Sequence, residues 1–118
     1  MEANEIQIGD WVYSTFSKLP CKVTYLKLHE SGYASVETTN VVGVKDMASL
    51  SPIPLTPEIL EKNGFVQDGE SWWYQDFRIV LSTSKGVSLV CGRQVKFCYI
   101  HQLQHALRLC EIKKEIVL

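Results

Sequence analysis

The sequence contains no G-x-G-x-x-G, no G-x-x-x-x-G-K-[ST] and no G-x-S-x-G. The glycine-rich loops that cradle phosphates, and the elbow that presents a nucleophilic serine, are therefore missing. Closely spaced cysteines are missing too: Cys21, Cys91, Cys98 and Cys110 form no C-x-x-C pair, which removes the usual redox and zinc-knuckle spacings. Apolar runs such as Ile79-Val80-Leu81 last only a few residues, far short of the roughly 20 needed to span a bilayer, so no membrane association is expected. Met1-Glu2-Ala3-Asn4-Glu5 has neither the basic nor the apolar region of a secretory leader. Reduced thiols and a cytoplasmic location are the expectation. Charge of one sign is scarce as well, since 12 Lys and Arg against 13 Asp and Glu leave a net −1. That provides no global field to hold nucleic acid or an acidic surface.

What is present is the composition of an ordinary globular protein, 118 residues with 46% hydrophobic, 21% charged and 10% aromatic. The length fits one domain, or two very small ones. The charge is unevenly spread. Residues 1–76 carry five bases against eleven acids, whereas residues 77–118 carry seven bases against two acids. Either the two segments attract each other within one fold, or the C-terminal end presents a basic binding face.

Residues 1–50 read as short strands: Trp11-Val12-Tyr13, then Cys21–Leu28, the polar turn His29–Gly32, Tyr33–Glu37 and Val41–Val44. This spacing predicts a small SH3-like β-barrel or a curved antiparallel sheet. Pro52 and Pro54 within residues 51–56, with Pro57 directly after, make that segment an extended connector. Residues 57–118 then read as a second, α+β part. A helix is opened by Thr56 and Pro57 and closed at Gly64; Phe65–Gln67 and Glu70–Tyr74 flank the Asp68-Gly69 hairpin turn, and a four-stranded meander runs on through Phe77–Ser82, Val87–Cys91 and Val95–Cys98. A helix from Tyr99 to Cys110 and a short strand at Glu115–Val117 complete the predicted α+β fold.

Two stretches carry a resemblance. Ile53-Pro54-Leu55-Thr56-Pro57-Glu58-Ile59-Leu60-Glu61-Lys62-Asn63-Gly64-Phe65, with Tyr99-Ile100-His101-Gln102-Leu103-Gln104-His105-Ala106-Leu107, resembles a family of small uncharacterised proteins from gut bacteria and their mobile elements; Ile8-Gly9-Asp10-Trp11-Val12 is similar to that family's opening. The resemblance covers about a quarter of the chain and implies no activity, cofactor or catalytic residue.

Cys98, His101, His105 and Cys110 are the one constellation suggestive of a metal, because histidines four apart on a helix share a face. At about 100° per residue, Cys110 turns with Ile100, Leu103, Ala106 and Leu107, while His101, His105 and Arg108 gather on the opposite, polar side. No metal and no cofactor are expected. Asp68 and Glu70 bracket a turn, where carboxylates are solvated and untuned for acid–base work. No catalytic residue is expected, and the chain is read as a non-enzyme.

Trp72 and Trp73 point to opposite faces of their strand, so they cannot share a core. Alternation places Trp72 with Tyr74 inside and Trp73 outside, beside Arg78, Val80, Val90 and Lys96. That half-apolar, half-basic face is either covered by other elements, or a protein interface, or a nucleic-acid surface on which Trp73 stacks with bases. Trp73, Arg78, Val80, Val90, Lys96, His101, His105 and Arg108 are the candidate binding residues. The expected function is a non-enzymatic protein-interaction module, with an unidentified protein partner or self-association. The alternative is a nucleic-acid-binding accessory protein of a phage or mobile element.

Overall fold

Three prolines in the segment 52–57 prevent a ladder from crossing it, and the chain divides there, into Met1–Ile53 and Pro54–Leu118. The computed structural model describes residues 5–31, 34–46, 49–69, 71–81, 86–90, 93–97 and 99–118, and gives the backbone alone over 41–46, 80–81, 86–90 and 93–97. The architecture is mixed α+β, with two antiparallel sheets and two helices. The charge asymmetry does not follow the division. The first unit has four bases against six acids and the second has eight against seven, so most of the asymmetry lies within the second unit.

The first unit contains β1 (Trp11–Ser14), β2 (Leu19–Leu28), β3 (Ala34–Thr38), β4 (Val41–Asp46) and β5 (Leu50–Ser51). Their order is β4-β3-β2-β1-β5, an open sheet and not a closed barrel. Val12 opposes Cys21, and Ile6, Val12, Cys21, Val23, Ala34, Val36 and Leu50 form its apolar core. Simple alternation would separate Val23 from Leu26, which stand three apart. An irregularity between Val23 and Tyr25 absorbs one residue, so that Leu26 pairs with buried Val36 and packs on the same core.

The second unit opens with α1 (Pro57–Lys62), as the sequence suggests: Thr56 Oγ1 accepts a hydrogen bond from the Ile59 N–H and Pro57 takes the first turn. It ends in a Schellman turn, in which Phe65 N–H donates to Leu60 O and Gly64 N–H to Glu61 O, with Gly64 at φ +83°. A five-stranded meander follows, β6 (Val66–Asp68), β7 (Ser71–Tyr74), β8 (Phe77–Leu81), β9 (Gly86–Val90) and β10 (Arg93–Phe97), in simple sequential order. The sequence suggests four strands; the fifth is the first arm of the Asp68-Gly69 hairpin, which joins the same sheet. Pairing of Asp68 with Ser71 centres that hairpin one residue later than the Asp68-Gly69 dipeptide suggests.

The second helix, α2 (Ile100–Leu109), starts where Tyr99 N–H donates to Gln102 Oε1. It ends in the same kind of turn as α1: Ile112 N–H donates to Leu107 O and Glu111 N–H to Arg108 O. Here the residue at positive φ is Glu111, at +57°, and not glycine. Among the described residues the tail beyond it is assigned to no strand. Instead the Asn63 side chain takes the partner's part: its Nδ2 donates to Val117 O and its Oδ1 accepts from Val117 N–H, both at 2.8 Å, and Ile116 is fully buried beside this grip.

The two helix ends predict substitutions of opposite sign. Gly64→Ala should cost about 1 kcal/mol, purely through the backbone, since the nearest atom to an added Cβ, Tyr74 Cε2, is 3.9 Å away. Glu111→Gly should stabilise by a similar amount, about 1 kcal/mol. Urea midpoints check both, and equal signs would refute the comparison.

Candidate functional site

Direct cross-strand pairs share a face, so the ladder alone assigns residues to the two sides of the second sheet. One row runs Val66–Trp73–Arg78–Leu89–Gln94 and a neighbouring row runs Asp68–Ser71–Val80–Val87–Lys96. Together they make the outer face. The alternate row, Gln67–Trp72–Ile79–Ser88–Val95, belongs to the inner face. Trp72 is 6% exposed and Ile79 is fully buried, whereas Trp73 is 38% and Val66 67% exposed.

On this face Arg78 is fixed from two sides. Its Nε–H donates to Ser71 Oγ at 2.9 Å, and its guanidinium carbon lies 5.7 Å from the centroid of the Trp73 ring. A hydrogen bond across two rows and a cation–π contact along one row remove much of the side chain's rotamer freedom before any partner arrives. With strands about 4.8 Å apart, the Val66–Trp73–Arg78 row spans about 10 Å. It presents an aliphatic side chain, an indole and a cation in a line.

The structure redistributes the other sequence candidates. Lys96 and Val80 hold register positions on the Trp73 face, their side chains lying outside the described residues. Val90 does not belong there. It pairs with Arg93 and has the parity of Ser88, which places it on the Trp72 side. The reason is that Val87-Ser88-Leu89-Val90 is apolar at three positions of four and so names no face; the β8–β9 pairing, Leu81 opposite Gly86, decides it. Arg93, which pairs with Val90, lies on the Trp72 side by the same register.

On α2 the expected polar side is also revised. His101 is buried, at 3% exposure, with Gln104, while His105 is half-buried and Arg108 exposed. The helix is thus covered along two adjacent stripes, Ile100–Leu103–Leu107 and His101–Gln104, and its polar pattern overstates its solvated arc. His101 stacks with Tyr99 at 5.9 Å between ring centroids and meets His105 edge-on at 5.7 Å. These rings pack against each other, and Cys110 is only half-buried at the end of the helix. Cys98 lies outside the described residues. Among the described residues no three His, Cys, Asp or Glu side chains are grouped to hold a metal ion, Cys21 and Cys110 are in no disulfide, and no helix is long and apolar enough to cross a membrane.

Sequence reasoning misses two members of the site, Ser71 and Val66. Both read as strand residues flanking Asp68-Gly69 and neither is assigned to the candidate face; alternation with Trp73 places Ser71 there, and the β6–β7 register adds Val66. Comparison with protein-family models, with curated proteins and with solved structures finds no match.

The two adjacent tryptophans should separate sharply. Trp72→Ala is expected to destabilise by about 3–5 kcal/mol, as truncation of a buried aromatic does, and Trp73→Ala by distinctly less. Urea denaturation of the two variants measures this, and the reverse order would invert the two faces. Zinc content of the purified, untagged protein is expected to be far below one equivalent. Stoichiometric zinc lost on His101→Ala with His105→Ala would contradict the ring-packing account.

Proposed function

We propose that the chain is a non-enzymatic protein-interaction module whose recognition surface is the outer face of the second sheet, centred on Trp73. The observation that carries this reading is the row of exposed Val66, exposed Trp73 and Arg78, with Arg78 held by Ser71 and by the indole. Tryptophan and arginine are the residues that most often anchor protein contacts, because each combines a large apolar area with directional polar groups. Pre-ordering of the guanidinium lowers the entropy lost on binding.

The strand order β4-β3-β2-β1-β5 of the first unit, with a short β5 returning to β1, supports reading that unit as an opened SH3-like barrel. A cytoplasmic protein of gut bacteria or their mobile elements is the setting consistent with the sequence motifs.

Salt separates protein binding from nucleic-acid binding. The register leaves only Arg78 and Lys96 as bases among the outer-face rows, so duplex binding there would have a log–log salt slope no steeper than about −2, at about −0.9 per phosphate. Over a screening length of about 8 Å at physiological ionic strength, two such contacts hold little. A display library of short peptides should yield ligands whose affinity falls at least tenfold on Trp73→Ser and varies mildly with salt. Random-sequence DNA and RNA should show no binding at about 150 mM salt. Micromolar nucleic-acid binding in that salt, abolished by Arg78→Glu with Lys96→Glu in a folded protein, would replace this reading with the accessory-protein one.

A further inference from the structure

The tail that follows α2 is held by a grip that reads main chain. Asn63 is 1% exposed, and its amide exchanges two hydrogen bonds with the peptide groups of Val117 alone, while Nδ2 also donates to Ile59 O at 2.8 Å. Beside it Ile116 is fully buried and Val117 exposed. The socket therefore engages a buried aliphatic side chain followed by a residue held through its own N–H and C=O, with its side chain exposed. Nothing in it requires that the segment come from the same molecule.

The hinge into the tail is strained. Glu111 occupies the left-handed conformation, φ +57°, at the position where α1 carries Gly64. A side chain there costs about 1 kcal/mol or more, and the cost disappears if α2 continues straight through Glu111. The sequence beyond permits this: Glu111, Lys113, Lys114 and Glu115 are good helix formers, no proline or glycine intervenes, and the lysines suit a helix C-terminus.

From these observations we propose that the tail 112–118 exchanges between two copies of the chain, each Asn63 socket taking the Ile116–Val117 segment of the other while α2 extends across Glu111. The exchanged dimer reuses the socket contacts of the closed form and gives up only the turn at the end of α2, whose Ile112 N–H to Leu107 O and Glu111 N–H to Arg108 O bonds are replaced by helical ones; this reuse makes swapping inexpensive. A short tether holds its own tail at an effective concentration in the millimolar range. Closed monomer therefore dominates in dilute solution, and the dimer is reached by refolding at high concentration.

Full-length protein is refolded from urea over a range of concentrations and sized by chromatography with light scattering. A dimer fraction that rises with concentration is expected. It should fall severalfold with Glu111→Gly, which relaxes the closed hinge, and rise with Glu111→Val, whose branched side chain disfavours positive φ but tolerates helix. Co-refolding of Asn63→Ala with Val117→Pro restores one intact socket only in the mixed dimer, and should give heterodimer in excess of either homodimer. Monomer at all concentrations, or a dimer indifferent to both Glu111 substitutions, would overturn the proposal. A dimer lost with Trp73→Ser would overturn it in favour of pairing through the sheet face.

Discussion

One side-chain amide ties together the elements of the second unit. Asn63 closes α1 through Ile59 O, precedes the glycine that turns the chain into β6, and clamps the C-terminal tail at Val117. A buried amide is tolerated only when its donors and acceptor are met, and here both Nδ2 protons and Oδ1 are engaged. The clamp in turn keeps Ile116 in the core. Helix end and tail thus share one polar centre, and loss of it would take these partners from the Val117 N–H and C=O and one of two from Ile59 O.

From that entry the meander runs outward with every turn fixing the face of the next strand. Because the side-chain period is two, turn length decides which residues meet, and the outer face follows from pairings rather than from any strand's own pattern. Trp73 meets Arg78 because Tyr74 opposes Phe77, and the same register sets Ser71 opposite Val80, one row along the face and within reach of Arg78. The site is therefore a consequence of register.

This explains what was legible in the sequence and what was not. Thr56, Pro57 and Gly64 mark α1 because each acts locally, through a cap, a fixed φ and a positive φ. Trp72 and Trp73 are separable because adjacency alone puts them on opposite faces. Val90 is misplaced because three apolar residues in four carry no parity signal. His101 is misplaced because a polar ring packed on Tyr99 and His105 is indistinguishable, by pattern, from one in water. The tail is read as a strand when a side-chain amide supplies its only described ladder-like pairing, an arrangement no strand pattern encodes.

The face around Trp73 is where the fold leaves aromatic, aliphatic and cationic surface together in a fixed arrangement, and recognition through it is the central claim. It is tested most directly by titrating isotope-labelled protein with a peptide selected on it and following amide and side-chain resonances. The account predicts that the Trp73 indole N–H, the Arg78 Nε–H and the amides of Val66, Ser71 and Trp73 shift first and together. Shifts confined to Met1–Ile53, or to α2 and the tail, would contradict it.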